Sequence, residues 1–185
     1  AIVPLSGEII ALGTAQGTVK RVATSELPPG KHEVEIIALK PGDRVVGAGL
    51  APDHDELVFV TSDAQLLRFG ADAVRPQGRA AGGMAGIRLS TGAEVIAFQP
   101  APRDERTVVL TVAGSSQAIA GTDPGSAKVS SFDEFPAKGR ATGGVRAQRF
   151  VKGEDVLTLA WVGVEPRALA ADGAVRQLPA VSYTH

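Results

Sequence analysis

A two-stranded pattern recurs four times along the chain and constrains the fold more than any other feature of the sequence. Each copy has an apolar or alternating run, a short polar turn and a second run, at residues 9–22, 57–69, 108–120 and 167–178. The turns contain Gly, Asp or Ser, which tolerate the backbone conformations of a tight hairpin. Aligning Arg21 with Arg68, Ala118 and Arg176 spaces successive copies 47, 50 and 58 residues apart. We therefore interpret the sequence as one β-hairpin repeated four times.

Two further elements follow the hairpin in most copies. The first is a short segment that ends in an apolar residue and a proline, as in Leu27-Pro28 and Phe135-Pro136, and in the third copy an insertion precedes it. The second is a turn with Gly and an acidic residue that leads into a buried strand, at 38–49, 88–99 and 149–160. Each unit then carries about four strands, whose apolar faces only stacking on neighbouring units can bury. We predict an all-β, propeller-like array that forms a single domain over residues 1–185.

Composition excludes several classes of protein. The 185 residues include 22 Gly and 12 Pro but no Cys, so neither a disulfide framework nor a thiolate zinc site is available. No apolar run approaches the roughly 20 residues that span a bilayer, and the start lacks the features of a signal peptide. We expect a cytoplasmic protein without a membrane partner. Because the chain does not begin with Met, we also expect it to be a fragment of a longer protein.

The repeated unit resembles that of the C-terminal domain of type IIA topoisomerase A subunits, the family that comprises the A subunits of DNA gyrase and topoisomerase IV. The segments that carry the resemblance are GTVKR (17–21), PGDRVV (41–46), TSDAQLLRF (61–69), GRAAGGMAGIRL (78–89) and KGRATGGVRAQRF (138–150). The resemblance implies a β-pinwheel of about four four-stranded blades whose outer rim binds and bends double-stranded DNA.

Further expectations follow from the same resemblance. The domain itself would be non-catalytic and without a cofactor, because the DNA-cleaving tyrosine of the family lies in a separate N-terminal domain. Its partners would be duplex DNA, the ATPase B subunit, and the N-terminal cleavage domain of the same A subunit. It would also be associated with the nucleoid. Tyr183, the only tyrosine, matches no family motif and is not assigned the cleavage role.

Gyrase A subunits carry a seven-residue box, QRRGGKG, which is tied to chiral wrapping of DNA. The closest segment here is degenerate and consists of Gln77, Gly78, Arg79, Ala80, Ala81, Gly82 and Gly83, of which the first, third and last match. The loop at 138–144 matches only at Arg140 and Gly144. A degenerate box is typical of topoisomerase IV A subunits, so the resemblance favours that branch over gyrase.

Basic residues cluster at the same position in two consecutive units, although 19 basic and 20 acidic residues nearly cancel over the whole chain. The predicted DNA-binding residues are Arg68, Arg75, Arg79, Arg88, Lys138, Arg140, Arg146, Arg149 and Lys152. They would lie side by side on one arc of the rim and neutralise DNA phosphates, while glycine pairs let backbone N–H groups approach the phosphates. Acidic residues would lie elsewhere, in the loops around 53–56 and 104–105.

Other interpretations stay open at this level. Near-neutral net charge also suits a propeller-type scaffold that binds proteins and no nucleic acid. Catalysis is disfavoured: the three histidines are too scattered for a metal site, and no nucleophile, phosphate-loop or zinc-protease motif is present. We predict no catalytic residue and no bound metal, and we predict a capping box formed by Ser131 and Glu134.

Overall fold

A computed structural model describes residues 9–28, 30, 33–119, 122 and 125–164, together with the backbone of two strands at 167–169 and 175–177. The strands are β1 (Ile9–Thr14), β2 (Thr18–Ala23), β3 (Val45–Leu50), β4 (Glu56–Thr61), β5 (Gln65–Gly70), β6 (Met84–Ala85), β7 (Val95–Ala101), β8 (Thr107–Gly114), β9 (Ser126–Ser131), β10 (Val145–Arg146), β11 (Val156–Val164), β12 (Arg167–Leu169) and β13 (Val175–Gln177). The only helical elements in this part of the chain are 3-10 turns at Thr24–Glu26, Ala71–Ala73 and Phe132–Glu134. The all-β prediction is confirmed, and no helix among the described residues is long and apolar enough to cross a membrane.

The strands form four antiparallel sheets, with orders β3-β1-β2-β6, β10-β5-β4-β7, β11-β8-β9 and β12-β13. We call residues 9–50, 56–101 and 107–164 the first, second and third units. In each of the first two sheets, three strands belong to one unit and the fourth, β6 or β10, is supplied by the next unit. A unit therefore does not close its own sheet, because its glycine-rich segment completes the sheet before it.

The third hairpin differs from its prediction. β8 pairs with β9, so that Leu110 faces Val129; residues 115–119, in the second half of the predicted hairpin, form no strand, and Ala120 lies outside the described residues. The physical reason is burial, since Val129 is buried at the start of a segment that brings Phe132 and Phe135 into the core, whereas Ile119 is 77% exposed. The insertion therefore lies within the hairpin turn. By strand register, Val129 rather than Ala118 corresponds to Arg68 and Arg21, and the spacings become 47 and 61 residues.

Repeated local features explain why each hairpin closes. A β-bulge falls at the same place in the first two units, between Gly13 and Thr14 and between Val60 and Thr61. The hydroxyl oxygens of Thr14 and Thr61 accept hydrogen bonds from the backbone N–H groups of Thr18 (3.1 Å) and Gln65 (3.0 Å). These threonines close the hairpin turns with side-chain hydrogen bonds, while the bulges lie on the opposite edge of the same strands.

The core lies where consecutive sheets meet. One buried cluster surrounds Phe59 and Phe98, and another contains Phe132 and Phe135. β7 packs against both β3 and β11, and a Cβ atom on Gly47 would lie 2.0 Å from the carbonyl oxygen of Phe98. β3 and β7 thus approach each other at the inner edges of their sheets. β6 and β10 lie at the opposite edges, which we call the outer rim.

The predicted capping box is present. The backbone N–H of Ser131 donates to a carboxylate oxygen of Glu134 at 3.2 Å, and the Ser131 side chain accepts from the backbone N–H of Glu134. The box begins the 3-10 turn that leads from β9 into the buried Phe135. Its role is structural, as predicted.

Candidate nucleic-acid interface

Two segments carry all but one of the predicted DNA-binding side chains. We call residues 73–93 the first rim segment and residues 135–153 the second rim segment, since they contain β6 and β10. The exposed predicted residues are Arg75, Arg88, Lys138, Arg146, Arg149 and Lys152, and the half-buried ones are Arg79 and Arg140. The two segments carry eight basic and no acidic residues, so the rest of the chain carries eleven basic and twenty acidic ones.

The cations of the rim segments differ from the other arginines in having no carboxylate partner. Among the described residues, Arg21, Arg44, Arg68, Arg103 and Arg106 all form ion pairs. None of the six ion pairs in that part of the chain involves a cation of the rim segments. The arrangement leaves an outer rim of positive charge that the protein does not neutralise.

The two rim segments lie directly against each other. The backbone N–H of Ala141 donates to the carbonyl of Gly86 at 2.7 Å, and that of Arg88 donates to the carbonyl of Thr142 at 3.0 Å. The guanidinium of Arg140 donates to the carbonyl of Ala85. These contacts bring Arg88 of the first rim segment next to the loop that carries Arg140 in the second rim segment.

Arg68 is the predicted site residue that the structure removes from this surface. Its side chain is 13% exposed, its Nη1 lies 3.0 Å from Glu56 Oε2, and its Nε donates to the carbonyl of Phe135. The guanidinium also lies 4.4 Å from the ring centroid of Phe132. Arg68 connects the second unit to the 3-10 turn of the third unit, and its Nη1 and Nε donors are engaged by partners within the protein, away from the rim segments.

Arg21 plays the same part between the first and second units. It is buried, and its Nη1 donates to the carbonyls of Ala71 (2.8 Å) and Val74 (3.0 Å). Asp53, which was expected in a polar loop away from the DNA-binding residues, pairs with the same guanidinium. We call Arg21 and Arg68 the interblade arginines. The sequence alone shows that the two arginines have the same position in the repeat. Both faces of their strands are buried, so the pattern of apolar and polar residues does not show towards which face each arginine side chain points.

Lys20 is a functional candidate that no pattern in the sequence singled out. It is fully buried, and its Nζ donates to the carbonyls of Ile36 (2.6 Å), Arg79 (2.7 Å) and Ala81 (2.8 Å). Burial lowers the pKa of Lys20, and the negative charge of Glu35 opposes that shift. Two of its three acceptors lie in the degenerate box, so this side chain holds the box loop against the first unit.

The glycine pairs divide into two roles. A Cβ atom on Gly83 would lie 2.7 Å from the carbonyl oxygen of Val19, and one on Gly144 would lie 2.6 Å from that of Leu66. These second glycines therefore permit close contact with the preceding sheet. A Cβ atom on Gly82 would lie 3.2 Å from the carbonyl oxygen of Ala38, a tight contact within the loop region, whereas one on Gly143 would meet only the end of the Arg88 side chain at 4.0 Å.

A shallow cleft lies at each junction between units. One cleft, about 290 Å³, lies between the turn at 16–18, Lys40 and the pair Gly82-Gly83; the other, about 260 Å³, lies between the turn at 61–65, Arg88 and the pair Gly143-Gly144. No group of three or more His, Asp or Glu residues in the described ranges could hold a metal ion. His32, Tyr183 and His185 lie outside those ranges.

Comparisons with known proteins give consistent relatives. A family model described as the DNA gyrase C-terminal domain, beta-propeller, matches residues 8–52, 55–102 and 118–160. The A subunit of DNA gyrase from Salmonella typhimurium is 35% identical over 150 residues, which cover 78% of this chain and 16% of that protein. Topoisomerase subunit TopoM of Mycolicibacterium smegmatis is 31% identical over 160 residues, or 83% of this chain and 21% of the relative. The chain thus spans about a sixth to a fifth of these relatives.

Solved structures share the fold. The C-terminal domain of DNA topoisomerase IV superposes with a TM-score of 0.75 at 20% identity, covering 95% of this chain and 53% of that one. The E. coli ParC C-terminal domain gives a TM-score of 0.67 at 17% identity, covering 94% and 69%. At these identities the likeness concerns the fold alone, and it agrees with the propeller-like arrangement of sheets.

Proposed function

Because the chain belongs to the family of DNA gyrase C-terminal β-propeller domains, we propose that it binds and bends duplex DNA as a non-catalytic module of a type IIA topoisomerase A subunit. It would present the duplex to the N-terminal cleavage domain of the same subunit. DNA cleavage and ATP hydrolysis would belong to other domains and to the B subunit.

The observation that carries this proposal is the set of eight unpaired cations on two adjoining rim segments. Binding to DNA phosphates releases condensed counterions, and cations already paired with carboxylates would gain little from such contacts. The rim lies on the outer edges of consecutive sheets, so a duplex that touches both segments has to follow the curvature of the array. Aromatic residues are only 4% of the chain, which favours contacts with the backbone over base stacking. A protein-binding scaffold would not require this separation of charge.

Matched pairs of arginines provide the test. Arg146→Gln with Arg149→Gln removes two unpaired rim cations, and Arg44→Gln with Arg106→Gln removes two paired ones for the same change in net charge. Binding of a short fluorescent duplex would be followed by anisotropy over a range of salt concentrations. We expect the slope of log K against log salt to fall by roughly 0.9 for each phosphate that is no longer neutralised, hence by about 2 in the rim variant. Equal effects of the two variants, or no binding at low salt, would refute the proposal.

We further propose that the module bends DNA without wrapping it chirally, as in the topoisomerase IV branch. Two of the three cations of the gyrase box are replaced, since Gly78 and Gly82 stand where QRRGGKG has Arg and Lys. The test is to relax a closed circular plasmid with a nicking-closing enzyme in the presence of increasing amounts of the chain. We expect the linking number to stay constant. A shift that grows with protein concentration would instead indicate gyrase-like wrapping.

A further inference from the structure

The box loop has lost most of its cations, yet a buried cation lies directly beneath it. Lys20 is fully buried and its ammonium donates to three carbonyl oxygens, which matches its three N–H donors and requires the protonated form. No carboxylate forms an ion pair with it among the described residues. Glu35 lies close enough to interact electrostatically with Lys20 but forms no ion pair with it, and the ammonium is in direct contact with the carbonyls of the loop above it.

The contacts of Lys20 also set the direction of the peptide groups in the loop. In a trans peptide the C=O of one residue and the N–H of the next lie in one plane and point in opposite directions. The described chain contains no cis peptide bond. Because the carbonyls of Arg79 and Ala81 point towards the ammonium, the N–H groups of Ala80 and Gly82 point away from it.

These two N–H groups are available for a ligand. Ala80 and Gly82 are both exposed, and neither N–H donates to an acceptor in the described part of the chain. The N–H of Ala81 between them is satisfied by the carbonyl of Gly78 at 3.1 Å. Two outward N–H donors, with one residue between them and a buried ammonium behind them, are main-chain groups of the kind that bind anions.

We propose that residues 78–83 bind a phosphate group through the N–H groups of Ala80 and Gly82, with Lys20 as the residue that positions them. This proposal rests on the proposed DNA-binding function for its ligand, since the phosphate would come from the DNA backbone. Free inorganic phosphate has the same chemistry and serves as the second probe. Within the described part of the chain, only the first rim segment has such a buried ammonium beneath it. In the second sheet, which the second rim segment completes, Leu67 occupies the position of Lys20.

The direct test is an amide-resolved NMR titration of the chain. A short duplex and inorganic phosphate would be added in separate experiments, and the ¹H–¹⁵N signals of Ala80, Ala81 and Gly82 followed. We expect the amide protons of Ala80 and Gly82 to move downfield as they form hydrogen bonds, while the already bonded Ala81 proton, the internal control, moves little. A response to phosphate but not to the duplex supports the anion site and excludes DNA as its ligand.

Failure of this proposal is distinguishable from failure of the DNA-binding function. If anisotropy shows salt-dependent duplex binding while neither amide responds to either probe, the anion site is refuted and DNA binding stands. If the duplex does not bind but phosphate moves both amides, DNA binding is refuted and the anion site stands.

A variant tests the positioning role. Lys20→Met keeps the length of the side chain and removes its charge and donors, and Lys20 is too buried to touch DNA itself. We expect duplex affinity to fall roughly tenfold, as for the loss of hydrogen bonds to a charged group, with the responses of Ala80 and Gly82 abolished. Unchanged affinity and unchanged responses in a folded variant would overturn that role. If the variant does not fold, the titration of the unaltered chain still decides the proposal.

Discussion

Gly144 provides the sharpest test of how the units interlock. It lies next to β10, the two-residue strand that the third unit contributes to the second sheet. A Cβ atom there would lie 2.6, 2.7 and 2.8 Å from the O, C and N atoms of Leu66, all of which are backbone atoms that cannot rotate away. Gly143, one residue earlier, would meet only the end of the flexible Arg88 side chain, at 4.0 Å. Neither glycine has a positive φ, so alanine is compatible with the backbone at both positions.

The expected difference follows from sterics. Alanine at Gly143 should leave stability unchanged or raise it by about 0.4–1 kcal/mol, through the reduced entropy of the unfolded chain. Alanine at Gly144 forces β10 away from β5, and overpacking of this kind costs about 1–3 kcal/mol. Three backbone clashes place Gly144→Ala near the upper end of that range, which corresponds to a fall in Tm of roughly 5–10 °C for a domain of this size.

The assay is thermal and urea denaturation of both variants, followed by circular dichroism. Because repeat arrays can unfold in steps, midpoints of each transition would be compared rather than one extrapolated free energy. Hydrogen exchange should show that Val145 and Arg146 lose protection in Gly144→Ala, since they pair with β5. If the two variants have the same melting temperature, the close contact between the glycine loop and β5 does not hold the units together.

Three other predictions follow from single side chains. Ala141 has a φ of 63°, so Ala141→Gly should raise the free energy of unfolding by about 0.5–1 kcal/mol. Ala80 has no positive φ to relieve, so Ala80→Gly should lower that free energy. Thermal melts should therefore show a higher Tm for the first variant and a lower Tm for the second. Arg68→Gln should lower the free energy of unfolding, measured by urea denaturation, by about 2–3 kcal/mol, because it breaks a largely buried ion pair and a hydrogen bond to a carbonyl. Arg106→Gln breaks only an exposed ion pair and should change that free energy little. Hydrogen bonds from Arg106 lower the pKa of Asp104 from 3.8 to about 2. The contribution of ionised Asp104 to stability is therefore present above pH 3.8 and is lost as the pH falls towards 2. NMR titration of Asp104 should find the lowered pKa, and Arg106→Ala should return the pKa towards 3.8.

The sequence predicted what depends on local pattern. Short apolar runs separated by Gly and Pro indicated an all-β array, and the capping box at Ser131 and Glu134 was found because its two residues are only three positions apart in the chain. The third hairpin was misplaced because the inserted residues lie within its turn, and a single sequence does not show on which side of a strand an insertion falls. The exchange of β6 and β10 between units was missed because a two-residue strand carries no periodicity.

The sequence predicted the location of a candidate site residue only where its charge is enough to keep it at the surface. Exposed side chains at Arg75, Arg88 and Arg146 agree with that expectation, because segments without acidic residues offer no carboxylate that could draw a guanidinium into the protein. Arg68 was grouped with them on charge, although its place in a strand buried on both faces gives its guanidinium only interior partners. Lys20 was missed for the complementary reason, since a fully buried lysine without a carboxylate partner is rare.

The near-neutral net charge, which counted against DNA binding at the level of the sequence, has a different meaning once the cations are sorted by their partners. Five arginines are paired with carboxylates, and Lys20 is enclosed by carbonyl groups, so these cations neutralise or organise the protein itself. All twenty acidic residues lie outside the rim segments. Charges further apart than about 8 Å are largely screened at physiological salt, so a duplex at the rim interacts mainly with the charges that it touches. Local charge, and therefore the slope of affinity with salt, should follow the eight rim cations rather than the sum of −1.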